Sequence, residues 1–513
     1  MKSHDTLIPE NTLAHKVVTV AVMLATIMQA LDSTIANVAL PHMQGSLAAT
    51  QDQMAWVLTS YIVAAAITIP LTGWLAGYAG RKLVFLVSIA GFTLASILCG
   101  VAETLPEMVI FRLLQGICGA ALVPLSQAIL FDINSQENFG KAMAVWGVGV
   151  TIGPILGPAL GGYLTENYNW RWVFYINVPI GIIAFLGLYL FLPESPTRKS
   201  KFDFFGFVAL SLGVGALQMM LDRGELKDWF SSTEIIVEGT LALLGFYLFT
   251  IHTLTFKNPF LNPELFKDRN FMVGNILIFV IGIVLFATLA LIPPMLQNQL
   301  NYPVITAGLV TAPRGAGTMA AMFIVGRLIG RIDSRVIMAG GLCVTAYSLY
   351  MMTSYSLLTD TSAIISAGLI QGFGIGLSYV PLSTVAFSTL PQTLRNEGTA
   401  MFNLMRNLGS SIGISVVEAL LTQNTQIVHS ALGNHLMPYN MAANAAYAAN
   451  HIDVSTPAGV AGLNNVVTNQ AIMIAYVDDY KLMMIMTICV LPLLLFLSAP
   501  KKIKKDDHPV VME

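Results

Sequence analysis

Charged residues are scarce in this chain. Asp, Glu, Lys and Arg make up 11% of its 513 positions, against about 25% in a soluble domain. A chain this long and this poor in charge could not cover a water-facing surface, which excludes an ordinary soluble globular protein. Cysteine is nearly absent. Cys99, Cys118, Cys343 and Cys489 all lie in apolar runs, with no CxxC spacing and no histidine neighbour. They read as small buried hydrophobes, and neither a metal site nor a disulfide framework is expected. Nucleotide-binding and metalloprotease signatures are missing as well: there is no GxxxxGK[ST] and no HExxH. ATP hydrolysis and intramembrane metalloenzyme chemistry drop out, so no metal and no cofactor is expected. A net charge of −2 offers no basis for nucleic-acid binding.

What the chain has instead is apolar length. Hydrophobic residues make up 55% of it and mean hydropathy is +0.70. A spanning helix needs about 20 apolar residues. Fourteen stretches qualify, at 17–40, 53–76, 83–102, 107–130, 142–164, 171–192, 204–221, 234–256, 271–294, 304–326, 336–357, 362–389, 398–421 and 481–499. The fold class expected is an all-α polytopic membrane protein. The polar stretch MKSHDTLIPENTLAHK lacks the layout of a cleaved signal, so the first run is read as a retained span. Of 26 Lys and Arg, 19 fall in loops on the side of the termini, 4 on the other side, and 3 (Arg112, Arg314, Arg406) inside spans. That bias places both termini in the cytoplasm. Residues 422–480 are expected to form a long outer loop, in which NMAANAAYAANHIDV could be a short helical element.

The chain also repeats itself. Gly73, Leu75, Gly77 and Lys82 match Gly326, Leu328, Gly330 and Arg335 at an offset of 253. LLQGICGAALVPLS (113–126) resembles LIQGFGIGLSYVPLS (369–383), and Gly153 and Gly157 match Gly409 and Gly413 at an offset of 256. Two related six-helix bundles follow, over 17–192 and 271–499, with two extra helices and linkers in 193–270 and cytoplasmic tails at 1–16 and 500–513. Paired halves with a site at the midplane are the architecture of alternating access.

Polar residues inside such spans carry the chemistry. In span one, Thr26, Gln29, Asp32, Ser33 and Asn37 fall within an arc of roughly 140°. That face must point at protein or water. An aspartate at a helix centre costs about 2.5–3.5 kcal/mol of insertion, while a leucine returns only about 0.3–0.6 kcal/mol. Desolvation favours the neutral acid, so Asp32 is expected to take and release protons; the plainer alternative is a helix–helix anchor. Arg112, with Gln115 and Gly116 one turn deeper, is expected to be a fixed charge that biases a nearby carboxylate toward ionisation or binds substrate oxygens. Arg314, Arg406 and Glu418 are candidate charged partners. In span five, Gly149, Gly153, Gly157 and Gly161 share one face and allow close helix approach, while Pro154 and Pro158 remove donors and bend the helix. A seam that rocks, or static close packing, fits that pattern. The loop after span two, GWLAGYAGRKL, offers Gly73, Gly80, Arg81 and Lys82 as a docking motif on a helix end or acidic group.

LDSTIANVALP, RLLQGICGAALVPLS, GPILGPALGG and LQMMLDRGELKDWFSS together resemble the fourteen-span drug:proton antiporters of the major facilitator superfamily, the DHA2 group, and in it the EmrB-like branch. The resemblance implies the major facilitator fold and export of amphipathic toxic compounds driven by inward proton flow across the cell inner membrane. It implies that Asp32 is the proton-coupling carboxylate and that Arg112 belongs to the proton or gating network. It assigns Gly153, Pro154, Gly157, Pro158 and Gly161 to the antiporter motif. It implies a periplasmic adaptor protein and an outer-membrane channel as partners, besides lipid and small-molecule substrates. One departure stands out: Gly77 and Tyr78 replace the Asp and Arg usual in the loop after span two, so any charge lock there must use Arg81, Lys82 or the second copy, where Arg331 and Asp333 supply charges. On this reading Gln29, Asn37, Gln115 and Trp146 line the substrate cavity. Rival readings are a narrow exporter of an endogenous metabolite, fatty acid or siderophore, and a scaffold or sensor that does not transport.

Overall fold

In a bilayer every backbone N–H and C=O must be satisfied within the protein, so apolar runs of this length have helix as their only stable local structure. The structure, a computed structural model, describes residues 8–10, 12–135, 138–195, 197, 201–329, 331–435 and 456–498. Among the described residues the backbone is helical nearly throughout, apart from one isolated bridge between Ile329 and Ile332. The N-terminal half contains α1 (Leu13–Ser46), α2 (Gln51–Ala79), α3 (Arg81–Val101), α4 (Leu105–Gly119), α5 (Leu122–Ile133), α6 (Phe139–Asn167), α7 (Trp172–Tyr175) and α8 (Asn177–Phe191). Two intervening helices follow, α9 (Phe204–Arg223) and α10 (Thr233–Thr255). The C-terminal half contains α11 (Arg269–Pro294), α12 (Val304–Thr311), α13 (Pro313–Leu328), α14 (Ser334–Met352), α15 (Thr361–Ser388), α16 (Arg395–His435) and α17 (Pro457–Val490). Thirteen helical stretches among the described residues are long and apolar enough to cross a membrane, and α6 is a further helix of 29 residues. This is a multi-pass membrane protein, and its outer surface is accordingly greasy: Leu243, Tyr247 and Leu254 of α10 all stand exposed.

The repeat is realised in three dimensions. Side chains at Gly153 and Gly157 of α6 would collide with α1, at Ala30 and at Thr34. Their counterparts Gly409 and Gly413 of α16 sit against α11 in the same way, at Phe279 and Ile283. The helix α9 packs on α10 through the close approach of Gly213 and Gly245. It also touches both halves, with Gly215 against Ile67 of α2 and Ser415 Oγ of α16 donating to the Leu221 carbonyl at 2.6 Å.

Two expectations change. Residues 422–435 are not loop but continue α16, and residues 457–480 are not loop but open α17. Hydropathy finds only the part of a helix that meets lipid; Gln, Asn and Ala prolong a helix beyond that layer without leaving an apolar trace. The stretch NMAANAAYAANHIDV lies outside the described residues, as do the C-terminal tail from 499 and residues 1–7.

Candidate functional site

The polar face of α1 turns into the N-terminal half, where Asp32 is fully buried. Three side chains donate to its carboxylate. Arg112 Nη1 of α4 reaches Oδ2 at 2.8 Å. Gln115 Nε2 of α4 and Asn177 Nδ2 of α8 both reach Oδ1, each at 2.8 Å. Both amides also donate to Ser96 Oγ of α3, at 2.7 and 3.0 Å. Arg112 is itself held on every side: Nε donates to the Val57 carbonyl at 3.0 Å, and Nη1 to Gln115 Oε1 at 2.7 Å. Its guanidinium lies 4.3 Å from the Tyr61 ring centroid, a cation–π contact strengthened by burial. The Tyr61 hydroxyl in turn accepts from Gln29 Nε2 at 3.2 Å.

Five helices thus meet in one network around this carboxylate, and each of the three side chains that bond to it is a donor. The arrangement suits the ionised form. A proton on Asp32 would cancel half of the ion pair and leave Arg112 buried with neutral acceptors only. Breaking a buried pair from one side costs about 3–5 kcal/mol, so proton binding here carries enough free energy to bias a conformational equilibrium.

The second half does not copy this chemistry. The offset of 256 takes Asp32 to Thr288 and Gln115 to Gln371. Those two residues do meet, Gln371 Nε2 lying 3.2 Å from Thr288 Oγ1. A hydroxyl therefore stands where the first half has its carboxylate, and Gly368 stands in place of Arg112.

Arg112 and Gln115 come together with Asp32, but other expected residues lie elsewhere. Gln115 is buried in the carboxylate cage and does not line an open cavity. Trp146 is likewise fully buried, stacked at 6.1 Å on Tyr379 of the opposite half. Asn37 is exposed on α1, away from the cage. Arg314 donates to the Leu285 carbonyl at 3.1 Å and Arg406 to the Tyr379 hydroxyl at 3.2 Å. Among the described ion pairs neither arginine, nor Glu418, is joined to Asp32. The glycines of α6 press on the helix that carries Asp32: Gly153 and Gly157 flank it directly, Gly161 meets Ile35, and Gly149 has only ordinary contacts with Ile27 and Met23. The side chains of Pro154 and Pro158 lie outside the described residues. A GxSxG spacing at 409–413 sits inside uninterrupted α16, not on a strand-to-helix turn, and has no hydrolase geometry.

The stretch 73–83 is not a loop but the end of α2 and the start of α3, joined at Gly80, and it forms a second polar cluster, at one end of the molecule. Gly80 has φ +88°, a conformation open to glycine at little cost, and it turns the chain directly into α3. Arg81 then pairs with Asp132 at the end of α5. Arg395, the first residue of α16, approaches the same carboxylate at 3.9 Å. The backbone at Gly73 packs against Asn396 and Glu397. This cluster therefore joins the two halves, while Lys82 points aside to Glu194 at 3.8 Å. In the second copy, Asp333 caps α14 and pairs with Arg335 at 2.9 Å, within its own half.

The match to known proteins agrees with this architecture. The family model of the Major Facilitator Superfamily matches residues 22–414. The chain belongs to the major facilitator superfamily. Within the superfamily it is similar to the fatty acid resistance protein FarB of Neisseria gonorrhoeae, 36% identical over 94% of this chain and 96% of that protein. It is similar to the multidrug export protein EmrB of Escherichia coli K12, 38% identical over 84% of this chain and 85% of that one. The probable multidrug resistance protein EmrY of the same strain is 36% identical over 94% and 95%. Among solved structures, the proton:xylose symporter XylE shares the fold with a TM-score of 0.61 at 13% identity, covering 92% of this chain and 94% of that one. The human organic anion transporter MFSD10 does so with 0.59 at 15% identity, covering 94% and 100%. The chain is an EmrB-like member of the superfamily.

Asn177, Ser96, Tyr61, Asp132 and Arg395 are the site residues that sequence reasoning missed. A serine or asparagine in an apolar span leaves no pattern of its own. Asp132 and Arg395 read as ordinary charges at span ends.

Proposed function

We propose that this protein exports hydrophobic or amphipathic compounds in exchange for protons, with Asp32 as the coupling carboxylate. The observation that carries the reading is the buried Asp32–Arg112 pair, caged by Gln115 and Asn177. In the proposed cycle, ionised Asp32 holds Arg112 while substrate loads from the cytoplasm or inner leaflet. A proton arriving from outside neutralises Asp32, frees Arg112 and destabilises the cage. The α6 glycine seam then lets the half re-pack, substrate leaves outward, and the proton leaves inward. On this reading the protein sits in the cell inner membrane with both termini cytoplasmic, and it works with a periplasmic adaptor and an outer-membrane channel.

A second reading of the cargo is fatty acids, favoured by the similarity to FarB across 94% of this chain. A susceptibility panel under loss and overexpression separates the two. Many unrelated compounds affected supports a multidrug exporter; fatty acids alone support the narrow one. Flux from inside-out vesicles tests the coupling itself: export that survives collapse of the pH gradient and of the membrane potential would refute it.

A further inference from the structure

The structure contains a further fully buried carboxyl group in a transmembrane helix, and the cycle above does not use it. Asp479 of α17 has no exposed surface. Neither of its carboxyl oxygens has a hydrogen-bond partner among the described residues. The contrast with Asp32, which accepts from three donors, is complete.

Among the described residues no cation pairs with it, and Lys481, two residues further along α17, is exposed. Tyr480, beside it, is fully buried, donates to Met295 Sδ at 3.5 Å and packs edge-on to Tyr355 with ring centroids 6.0 Å apart. Met295, Met352, Met473 and Met483 line the same apolar cluster. The titratable and charged groups that act in this region are Tyr476, Asp478 and Tyr480 on α17, Glu418 on α16, Tyr355 just beyond α14, and Arg314 on α13. Arg314 faces Tyr480 and the Leu285 carbonyl. Asp478, the adjacent acid, has the same sign as Asp479.

An ionised carboxylate here would have neither donors nor a partner, the costliest state for a buried group. Protonation removes the charge. The site also lies at a useful place. Met295 follows the end of α11 and Tyr355 follows the end of α14, so Asp479 sits at the end of the C-terminal half opposite Arg395.

We propose that Asp479 is a second proton-binding site, which holds its proton in this conformation and gives it to water when α17 moves. In that step the carboxyl O–H bond breaks, water accepts the proton as hydronium, and the carboxylate stays behind; loading is the reverse. Each half then carries one proton site, Asp32 in the first and Asp479 in the second, although the two do not correspond under the repeat. The coupling role rests on the proposed proton exchange, but the protonation of Asp479 does not.

Infrared difference spectroscopy on the full-length protein in liposomes tests this, with the proton itself as the probe. At neutral pH the wild type is expected to show the C=O band of a buried carboxylic acid, sensitive to D2O and lost at alkaline pH. Asp479→Asn, isosteric with the neutral acid, loses that band; Asp479→Glu displaces it; Asp32→Asn keeps it. An unchanged band in Asp479→Asn overturns the proposal, and a band that persists in full at alkaline pH overturns the release step. If Asp32→Asn transports normally while the Asp479 band behaves as described, the reading of Asp32 fails and this site stands.

Discussion

Adding one methyl group at each of two neighbouring glycines on α6 should have opposite effects. A Cβ at Gly149 would meet Ile27 and the Met23 carbonyl at 3.6 and 3.7 Å, ordinary contact distances. Gly149→Ala should therefore show only the gain in helix propensity, up to about 1 kcal/mol. At Gly153 the same Cβ would collide with the backbone of α1, at Ala30 and Leu31. Backbone cannot rotate out of the way, so the helices must separate. Overpacking costs about 1–3 kcal/mol; this site belongs at the upper end, and after the propensity gain the net loss is about 2 kcal/mol. The two variants should then differ by about 3 kcal/mol. Thermal unfolding of the purified protein in one detergent checks this, with Gly162→Ala, where an added Cβ would meet no atom within 4 Å, as a contact-free control. The expected order of midpoints is Gly149→Ala at or above wild type and Gly153→Ala well below it. Equal midpoints for the two would refute the close-packed seam, and with it the argument that α6 bears directly on the helix of Asp32.

Removing either partner of the buried pair should be worse than removing both. Arg112→Gln alone should destabilise by about 3–5 kcal/mol, while combining it with Asp32→Asn should recover much of that without restoring transport, as thermal unfolding and vesicle flux would report. Asp132→Asn takes away the carboxylate that Arg81 and Arg395 approach together; cysteines introduced near Gln127 of α5, whose Oε1 accepts from Asn403 Nδ2 of α16 at 3.2 Å, should then become more reactive toward a water-soluble maleimide, and unaltered labelling would count against a cross-half tie. Outside the membrane, Glu10 accepts from the Ser135 backbone N–H and from Asn138, both at 2.7 Å. That backbone N–H is the main cause holding its carboxyl below the usual range. Its contribution is present above the ordinary carboxylate pKa and fades as pH falls through the lowered folded value, so protection of the Ser135 amide in hydrogen exchange should drop in acid and be insensitive to pH in Glu10→Gln.

Much of this protein was legible in its sequence because lipid imposes a one-dimensional code. Apolar runs gave the spans, a carboxylate among leucines marked Asp32, and the glycine periodicity of span five marked a face that packs closely. What the code omits is whatever does not face lipid. Ser96 and Asn177 complete the cage from inside apolar helices, where small polar residues carry no signal. Asp479 lies in DDYK, at the polar margin of the last apolar run, where hydropathy alone assigns a loop; only the extension of α17 beyond that run puts the residue in a helix, where it is buried. The repeat predicted related halves, and the helices obey it, yet the chemistry breaks it: Thr288 stands where symmetry with Asp32 would put an acid.

The most direct test of the account is proton movement by Asp32→Asn protein in proteoliposomes, set against the wild type under the same imposed substrate gradient. The account predicts that wild-type vesicles exchange protons for substrate and that the variant, still folded and inserted, moves none. Substrate-linked proton flux at the wild-type level in Asp32→Asn would contradict it.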